Sequence, residues 1–363
     1  MLSRTQGQLG LPFFYGHRFV VTSTDRLHLP ISARQFPALP TIPHPLQFKS
    51  VTFTALQPGP KLIVLGAVHG NEVSGSKAIL KMIQEFELGE RLLIKGQLTF
   101  VPITNPLAYN RKQRNGDRNL NRNLTPTDSP VDFEDHVANW LCPLLAAHEV
   151  LLDIHSFQKG DVPFALFGPK NNRSKLESFT HEEAERGLAL RLGVARFVDG
   201  WLDTYAKGVA NRVELLKKTG GSGEGLNTDP RYGMGTTECM RSSGGYAVTL
   251  ECGQHEDPQG PGVAYKAIEN TLVHLGLVNG EPVEMVTDYQ HLSLVEVNDK
   301  QHFDDQFVRA WSSFDPVRKG ELIGIRHNGD EVRASRDGFI VFPNTLSQAG
   351  QEWFYIAESN TQP

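Results

Sequence analysis

Over most of the chain, short apolar runs alternate with longer segments that repeat apolar residues at helical spacing. The runs KLIVLGAV (61–68), QLTFVPI (97–103) and VLLDIHSF (150–157) have the length and composition of buried strands. Segments such as SGSKAILKMIQEFEL (74–88) and GVAYKAIENTLVHLGLV (262–278) have the apolar period of a helix. This alternation predicts an α/β fold, with a mixed, mainly parallel sheet and helices on both of its faces.

The pattern changes near residue 284. Beyond it, the short runs HLSLVEV, ELIGIRH, DGFIVFP and EWFYIAE are separated by turn residues, which is typical of a small all-β domain. Residues 1–50 are rich in proline and aromatic residues and favour an extended lead-in. We therefore predict a lead-in over residues 1–50, a catalytic domain over residues 51–284 and a β domain over residues 285–363. The glycine-rich segment 219–238 predicts an irregular, mobile loop.

Charge and composition narrow the function classes. The 363-residue chain has a net charge of -5, whereas nucleic-acid-binding domains carry a basic excess, so a small-molecule substrate is favoured. No run of 18 apolar residues occurs, and the N-terminus lacks the apolar core of a secretory signal, so we expect a cytoplasmic protein without a membrane partner. One segment departs from this balance, because residues 110–122 carry five Arg or Lys residues against a single Asp.

A candidate metal site begins at the end of the first apolar strand. His69 and Glu72 lie where this strand ends and a helix begins, and open α/β sheets bind ligands at such strand ends. Residues three positions apart project to one side, so an imidazole and a carboxylate can close on one cation. His155 ends the strand VLLDIHSF and completes a three-ligand set that suits a catalytic zinc ion. Asp153, on the same strand face, is a candidate hydrogen-bond partner for His155.

A further carboxylate ends the apolar strand AVTLECG. Burying Glu251 there is unfavourable unless the carboxylate is paired or used in catalysis. As a general base, Glu251 would take a proton from the attacking water and return it to a leaving amine. Each of these motifs alone is also compatible with a polar group that is satisfied inside the core, so the assignment depends on their combination.

Four motifs in a fixed order resemble the succinylglutamate desuccinylase/aspartoacylase family: GAVHGNE, NPLAYNRKQRNGDRNLNRN, LLDIHS and TLECG. The resemblance implies a zinc carboxypeptidase-like fold with the metal at the strand ends. It implies that His69, Glu72 and His155 bind one zinc ion per chain and that Glu251 is the general base. The implied substrate is a small N-acyl amino acid whose amide bond is hydrolysed. A homo-oligomeric assembly stays open.

The resemblance also accounts for the basic segment. Arg114 matches an arginine that polarises the scissile carbonyl and stabilises its oxyanion. Asn121 and Arg122 match residues that bind a substrate carboxylate, and arginine forks suit that geometry. Arg241 matches a further carboxylate-binding arginine by its spacing from the general base alone. The remaining charges of the segment are predicted to form a solvated loop face: Arg111, Lys112 and Arg118.

Departures from the family pattern leave the substrate undecided. Asn119 stands where the family usually has Asp, and the segment between His155 and Glu251 is longer than usual, so its extra residues are predicted to shape the pocket. The C-terminal strands resemble the biotinyl- or lipoyl-type β-sandwich of the family's second domain. No lysine occupies the expected hairpin tip, so covalent cofactor attachment is not expected.

Two alternative functions stay open at this point. A metallocarboxypeptidase acting on a peptide or cell-wall fragment could use the same zinc ion, base and arginines. A non-catalytic binding protein on the same scaffold would be expected to have lost a metal ligand or the base, whereas all four of these residues are present.

Overall fold

The computed structural model describes residues 46–219 and 227–360, so most of the predicted lead-in lies outside the described residues. The α-helices of this part of the chain are α1 (Ser74–Glu87), α2 (Pro106–Arg111), α3 (Phe133–Ala146), α4 (Glu182–Ala189), α5 (Trp201–Thr219), α6 (Thr236–Ser242) and α7 (Gly260–His274). The β-strands are β1 (Val51–Thr54), β2 (Lys61–Leu65), β3 (Gln97–Val101), β4 (Val150–Phe157), β5 (Phe164–Leu166), β6 (Arg196–Asp199), β7 (Tyr246–Gln254), β8 (Gln290–Asp299), β9 (Gln306–Phe307), β10 (Pro316–Val317), β11 (Leu322–Ile325), β12 (Glu331–Arg333), β13 (Gly338–Val341) and β14 (Glu352–Ser359). None of these helices is long and apolar enough to cross a membrane.

Eleven strands form one sheet, in the order β1-β3-β2-β4-β7-β5-β6-β8-β14-β13-β10. Strands β3, β2, β4 and β7 are parallel neighbours, and β6 is parallel to both β5 and β8. From β8 onward the sheet is antiparallel, and a separate small sheet has the order β12-β11-β9. The predicted α/β fold, with a mainly parallel core and a C-terminal antiparallel region, is confirmed.

Helices cover both faces of the sheet, and this explains the apolar strands. Strand β4 has all eight of its residues buried because it is covered on both sides. On one face, α1 and α7 pack against alternate strand residues, with Ile79, Met82 and Ile268 in the core. On the other face, α3 and α6 pack against the intervening residues, with Leu141 and Met240 in the core. Each such fully buried side chain stabilises the fold by about 1.5–3 kcal/mol.

The C-terminal strands continue the main sheet. Strand β8 pairs in parallel with β6, and β14 pairs with β8 over seven register positions. Hydrogen bonding therefore runs without interruption from the parallel core into residues beyond 285. The domain boundary predicted near residue 284 stays a prediction.

Two segments differ from the sequence prediction. Helix α5 spans 19 residues and was not predicted at all. The glycine-rich segment 219–238 was predicted to be irregular, but a 3-10 turn forms over Pro230–Gly233, and α6 begins at Thr236. A residue far away in the sequence holds the start of α6, because the side chain of Asn121 accepts a hydrogen bond from the Thr236 N–H at 2.9 Å. Residues 220–226 of this segment lie outside the described residues.

The turn between β2 and α1 packs directly against the backbone of α2. A Cβ atom added to Gly70 would lie 2.0 Å from the carbonyl carbon of Ala108 and 2.1 Å from its oxygen. Only glycine permits this approach, since neither backbone can move away without shifting its element. The same turn carries His69 and Glu72, so its close packing holds both side chains at the end of the sheet.

We expect Gly70→Ala to destabilise the protein by about 1–3 kcal/mol or more, because the added methyl group overlaps backbone atoms. Gly187→Ala is the matched control: Gly187 lies inside α4, and its added Cβ would meet its nearest neighbour at 3.6 Å. This control should be neutral or should stabilise the helix by about 0.5–1 kcal/mol. Urea unfolding measures both, and an unaffected Gly70→Ala variant would contradict the packing described for this turn.

Candidate metal and catalytic site

Three side chains converge at the carboxyl end of the parallel strands. Glu72 Oε1 lies 2.9 Å from His69 Nδ1, and Glu72 Oε2 lies 2.9 Å from His155 Nδ1. The two imidazole Nδ1 atoms are 3.2 Å apart. All three residues are buried, and one ligand atom from each lies within 4.8 Å of the others. Two imidazoles and a carboxylate in this arrangement could hold one metal ion.

The charges and pKa values of this cluster favour the binding of a cation. Burial alone would raise the pKa of Glu72, but the neighbouring His69 and His155 outweigh it and hold that pKa well below its usual range. Burial lowers the pKa of His155, yet Asp153 and Glu72 raise it well above the ordinary value. Burial and Arg114 lower the pKa of His69 to about 4, so this imidazole is neutral near pH 7. The negative field at His155 and the neutral His69 both suit a bound cation.

The far nitrogen of each imidazole is also hydrogen-bonded. His155 Nε2 lies 2.9 Å from Asp153 Oδ2, and Thr236 donates its hydroxyl to the same carboxylate oxygen. His69 Nε2 lies 3.0 Å from Asn119 Oδ1. Such partners fix the ring orientation and leave Nδ1 of each imidazole to face the metal position. One imidazole is therefore supported by a carboxylate and the other by a neutral amide.

Glu251 lies beside these residues on the adjacent strand. It is the register partner of His155 across the parallel pair β4 and β7. Burial and the charge of Glu72 raise the pKa of Glu251 to about 8, and its buried Oε2 atom has no hydrogen-bond partner among residues 46–219 and 227–360. Two other buried oxygens of the site, Asn71 Oδ1 and Asp153 Oδ1, also have no partner in the part of the chain that the structure describes. Orphaned oxygens beside a ligand set of this kind fit a site that takes a metal ion and a polar substrate.

Residues 110–122, which we call the arginine loop, bring Arg114 to this cluster. The guanidinium of Arg114 donates to Glu72 Oε1 at 2.8 Å, and the side chain is 43% exposed. The loop is held by the buried carboxylate of Glu134, which accepts N–H bonds from residues 116–118 at 3.1, 3.2 and 3.1 Å. Asn105 donates to the same carboxylate at 2.7 Å. Neither Glu134 nor Asn105 is among the site residues predicted from the sequence motifs.

The prediction of a solvated loop face was wrong for Arg118. Its guanidinium donates to Asp132 at 2.9 Å, to Asp135 at 2.8 Å and to the backbone oxygen of Arg122 at 2.7 Å. Arg118 therefore ties the arginine loop to the start of α3. The only local signal for this role is the pair of acidic residues that form the capping box of that helix.

Asn121 and Arg122 lie at the end of the arginine loop. The amide oxygen of Asn121 is bound to the start of α6. The guanidinium of Arg122 lies 4.6 Å from the Trp201 ring, and its nearest carboxylate oxygen, on Glu352, is 3.7 Å away. This places Arg122 between the first turn of α5 and the C-terminal strand β14.

Arg241 is not brought to the metal cluster. Its guanidinium donates to the backbone oxygen of Ala247 at 3.0 Å, near the amino end of β7, whereas Glu251 lies near the other end. Its remaining N–H groups are bound to three buried or nearly buried carboxylates: Glu177, Glu185 and Glu238. The substrate-binding role of Arg241 stays a prediction, and these contacts do not support it.

The fold and this cluster together define a class of α/β protein with a buried His-Glu-His site at the carboxyl ends of parallel strands. The catalytic-domain model of the succinylglutamate desuccinylase/aspartoacylase family matches residues 58–179, which include the arginine loop and the three candidate ligands. The resemblance inferred from the sequence motifs is thereby confirmed: residues 58–179 match the catalytic domain of this family. No curated protein matches the sequence.

Several solved structures share the fold of this chain. A succinylglutamate desuccinylase/aspartoacylase from Rhodobacter sphaeroides is 18% identical with a TM-score of 0.61, and the match covers 87% of this chain and 90% of that one. The ectoine utilization protein EutE from Ruegeria pomeroyi is 20% identical with a TM-score of 0.61, covering 85% and 88%. A succinylglutamate desuccinylase from Vibrio parahaemolyticus is 16% identical with a TM-score of 0.63, covering 85% and 86%.

We expect the purified protein to bind one divalent ion per chain, and His155→Ala to lose most of that binding, since a missing ligand leaves Glu72 and His69 an incomplete set. Metal analysis after dialysis against a zinc-containing buffer measures the stoichiometry. His136→Ala, an exposed change on α3, is the control and should keep the ion. Full metal occupancy in His155→Ala would show that the ion is held elsewhere.

Proposed function

We propose that the protein is a zinc-dependent hydrolase that cleaves the amide bond of an N-acyl amino acid. The observation that carries this proposal is the convergence of His69, Glu72, His155 and Glu251 at one end of the sheet, within a domain of the desuccinylase/aspartoacylase family. Zinc is the metal that suits two imidazoles and one carboxylate with a position left open. When bound, it would supply Lewis-acid chemistry, lowering the pKa of water and polarising a carbonyl oxygen.

Glu251 is the group that moves protons in this proposal. Its carboxylate is buried next to the ligand set, and since Oε2 has no hydrogen-bond partner among the described residues, this oxygen is available to water or substrate. It takes a proton from the attacking water as the new C–O bond forms, and it delivers that proton to the nitrogen as the C–N bond breaks. A carboxyl group with a raised pKa suits both proton transfers, the uptake from water and the delivery to the leaving nitrogen.

Arg114 is the group that stabilises the developing negative charge on the carbonyl oxygen. One of its nitrogens is fixed on Glu72, and the exposed remainder of the guanidinium leaves N–H groups for a substrate oxygen. A donor fixed before the reaction strengthens its contact as charge develops, so it acts on turnover more than on affinity.

Asn121 and Arg122 are proposed to bind the carboxylate of the amino-acid half. The Glu352 carboxylate lies beyond hydrogen-bond distance of Arg122, so the guanidinium keeps N–H groups for an acid of the substrate. A metallocarboxypeptidase would use the same groups on a peptide. Amine release from a panel of N-acetyl and N-succinyl amino acids and short peptides, with zinc-loaded protein, separates the two functions. The cytoplasmic location and a homo-oligomeric state stay predictions.

We expect Glu251→Gln to keep its zinc and its fold but to lose about 10²–10⁴-fold in turnover, because the amide cannot take up the proton of the attacking water. Turnover on the preferred panel substrate is measured together with metal content and circular dichroism. Glu281→Gln, at an exposed position, should behave as the native protein. Near-native turnover in Glu251→Gln would remove this residue from the mechanism.

We expect the native protein to prefer an N-acyl amino acid over its C-terminal amide by about tenfold or more in kcat/KM, because charged hydrogen bonds to a carboxylate contribute about 1.5–3 kcal/mol. In Arg122→Ala this preference should disappear while the zinc content is unchanged. Equal rates for acid and amide with the native protein would show that the arginine loop does not recognise a carboxylate.

A further inference from the structure

A row of three side chains crosses the face of the sheet on which the metal cluster lies. Glu251 of β7 is the register partner of His155 on β4 and of Phe164 on β5. Register partners project to the same face of a sheet, and Asp153, which shares the face of His155, contacts α6 there. Phe164 is fully buried, so an apolar ring lies directly beside the candidate general base, on the side away from His155.

Aromatic side chains continue from Phe164 to the arginine loop. The ring centroids of Phe164 and Phe342 are 5.8 Å apart. Those of Phe342 and Tyr355 are 6.4 Å apart, and those of Tyr355 and Trp201 are 5.4 Å apart. The guanidinium carbon of Arg122 then lies 4.6 Å from the centroid of the Trp201 ring. We call these four aromatic residues the aromatic wall: Phe164, Phe342, Tyr355 and Trp201.

The aromatic wall has features that are unusual for a closed core. Trp201 and Phe342 are only partly buried. Phe342 has a φ of 51°, a left-handed conformation that bulky residues rarely adopt, and its N–H is held by Ser313 Oγ at 3.1 Å. The buried Tyr355 hydroxyl has no hydrogen-bond partner in the described part of the chain. Strained backbone and unpartnered polar groups are typical of ligand sites, so the wall resembles a surface that a ligand contacts.

The Tyr355 hydroxyl belongs to the Arg122 end of the wall. Burial and the charge of Glu352 raise the pKa of this hydroxyl well above its ordinary value, while the charge of Arg122 opposes the shift. The hydroxyl is therefore a neutral donor close to the guanidinium. It can serve the same substrate carboxylate as Arg122, which leaves the rings of Phe342 and Trp201 for another part of the substrate.

A polar route joins the same two ends of the site. Asn121, next to Arg122, accepts the Thr236 N–H at 2.9 Å. The Thr236 hydroxyl is bound to Asp153, which in turn contacts His155 at 2.9 Å. A substrate that reaches from Arg122 to the general base therefore has polar groups along one side and the aromatic wall along the other.

An acidic side chain would gain little against the aromatic wall. Arg241, the second arginine for which the family resemblance implies a carboxylate partner, is already bound to three carboxylates near the amino end of β7. Arg196 is held 4.1 Å from the Phe314 ring and donates to Gln290 at 2.7 Å. A carboxylate on the wall exchanges water for aromatic carbon, which is unfavourable, whereas an apolar side chain gains from the same exchange.

We propose that the amino-acid half of the substrate carries an aromatic side chain, which packs on Phe342 and Trp201 of the aromatic wall. The proposal rests on the proposed function, in which Arg122 holds the amino acid by its carboxylate. Trp201 lies in the segment between His155 and Glu251 that is longer than usual in the family. An element of this longer segment therefore supplies part of the pocket for the side chain.

The test compares N-acyl-L-phenylalanine with N-acyl-L-aspartate, both with the acyl group that the substrate panel favours. The native protein should prefer the phenylalanine substrate by about tenfold or more in kcat/KM, the scale on which burial of a phenyl ring acts. Phe342→Gly removes the ring and suits the left-handed backbone, so the fold should be kept while most of the preference is lost. Trp201→Leu, which keeps an apolar contact, should lose part of it.

Phe303→Ala is the control, because this ring is 74% exposed between β8 and β9, and the variant should keep the native preference. A purely structural role for the wall would lower both rates alike in Phe342→Gly and leave their ratio unchanged, and that result would overturn the proposal. A native protein that prefers the aspartate substrate, or that hydrolyses both equally well, would overturn it too.

Product binding separates this proposal from the proposed function. Calorimetry measures the affinities of the zinc-loaded protein for L-phenylalanine and L-aspartate, which needs no turnover. About tenfold tighter binding of phenylalanine, lost in Phe342→Gly, supports the aromatic wall even if no N-acyl amino acid is hydrolysed. Equal affinities or tighter binding of aspartate, with hydrolysis of the panel intact, would reject the wall and leave the proposed function standing.

Discussion

The buried carboxylate of Glu72 is the constraint on which the rest of the site depends. An isolated carboxylate in a protein interior is strongly unfavourable, and it is tolerated only with charge partners and hydrogen bonds around it. Glu72 has both, from two imidazoles, the Arg114 guanidinium and the Ser156 N–H. These partners come from the β2–α1 turn, from β4 and from the arginine loop. Because three separate segments supply the partners of the Glu72 carboxylate, these contacts hold the three segments together.

A second buried carboxylate, that of Glu134, positions the arginine loop so that it reaches Glu72. Glu134 accepts three consecutive backbone N–H bonds, and so it determines the path of the loop before Arg118 locks it to the start of α3. Hydrogen bonds to a charged group contribute about 1.5–3 kcal/mol each, so this contact is among the stronger ones available to an irregular segment. Helix α3, whose apolar face packs on the sheet, therefore also positions the arginine loop through a residue of its first turn.

Local signals account for the parts of this structure that the sequence predicted. The strands around Val64 and Leu152 are apolar because helices cover both faces, and α1 has a clear apolar period. His69 and His155 could be predicted to meet because parallel strands end at the same edge of a sheet. Partners far apart in sequence could not be predicted in this way. The bond from Asn121 to the start of α6 joins residues 115 positions apart, and nothing near Thr236 signals it.

Arg122 and Arg241 show why a match in sequence is a weaker guide to a binding role than the contacts of the side chain. The family resemblance suggests a carboxylate-binding role for both, through a motif for Arg122 and through spacing alone for Arg241. Arg241, however, already donates five hydrogen bonds, four of them to carboxylates. An acidic ligand could bind Arg241 only by displacing one of these groups, which would leave a carboxylate unpaired in the interior. Arg122 donates one backbone bond, to Asn121 O at 2.8 Å, rests on an aromatic ring and has its nearest carboxylate at 3.7 Å. A substrate acid gains new hydrogen bonds there without breaking strong ones, so the carboxylate preference is expected to depend on Arg122.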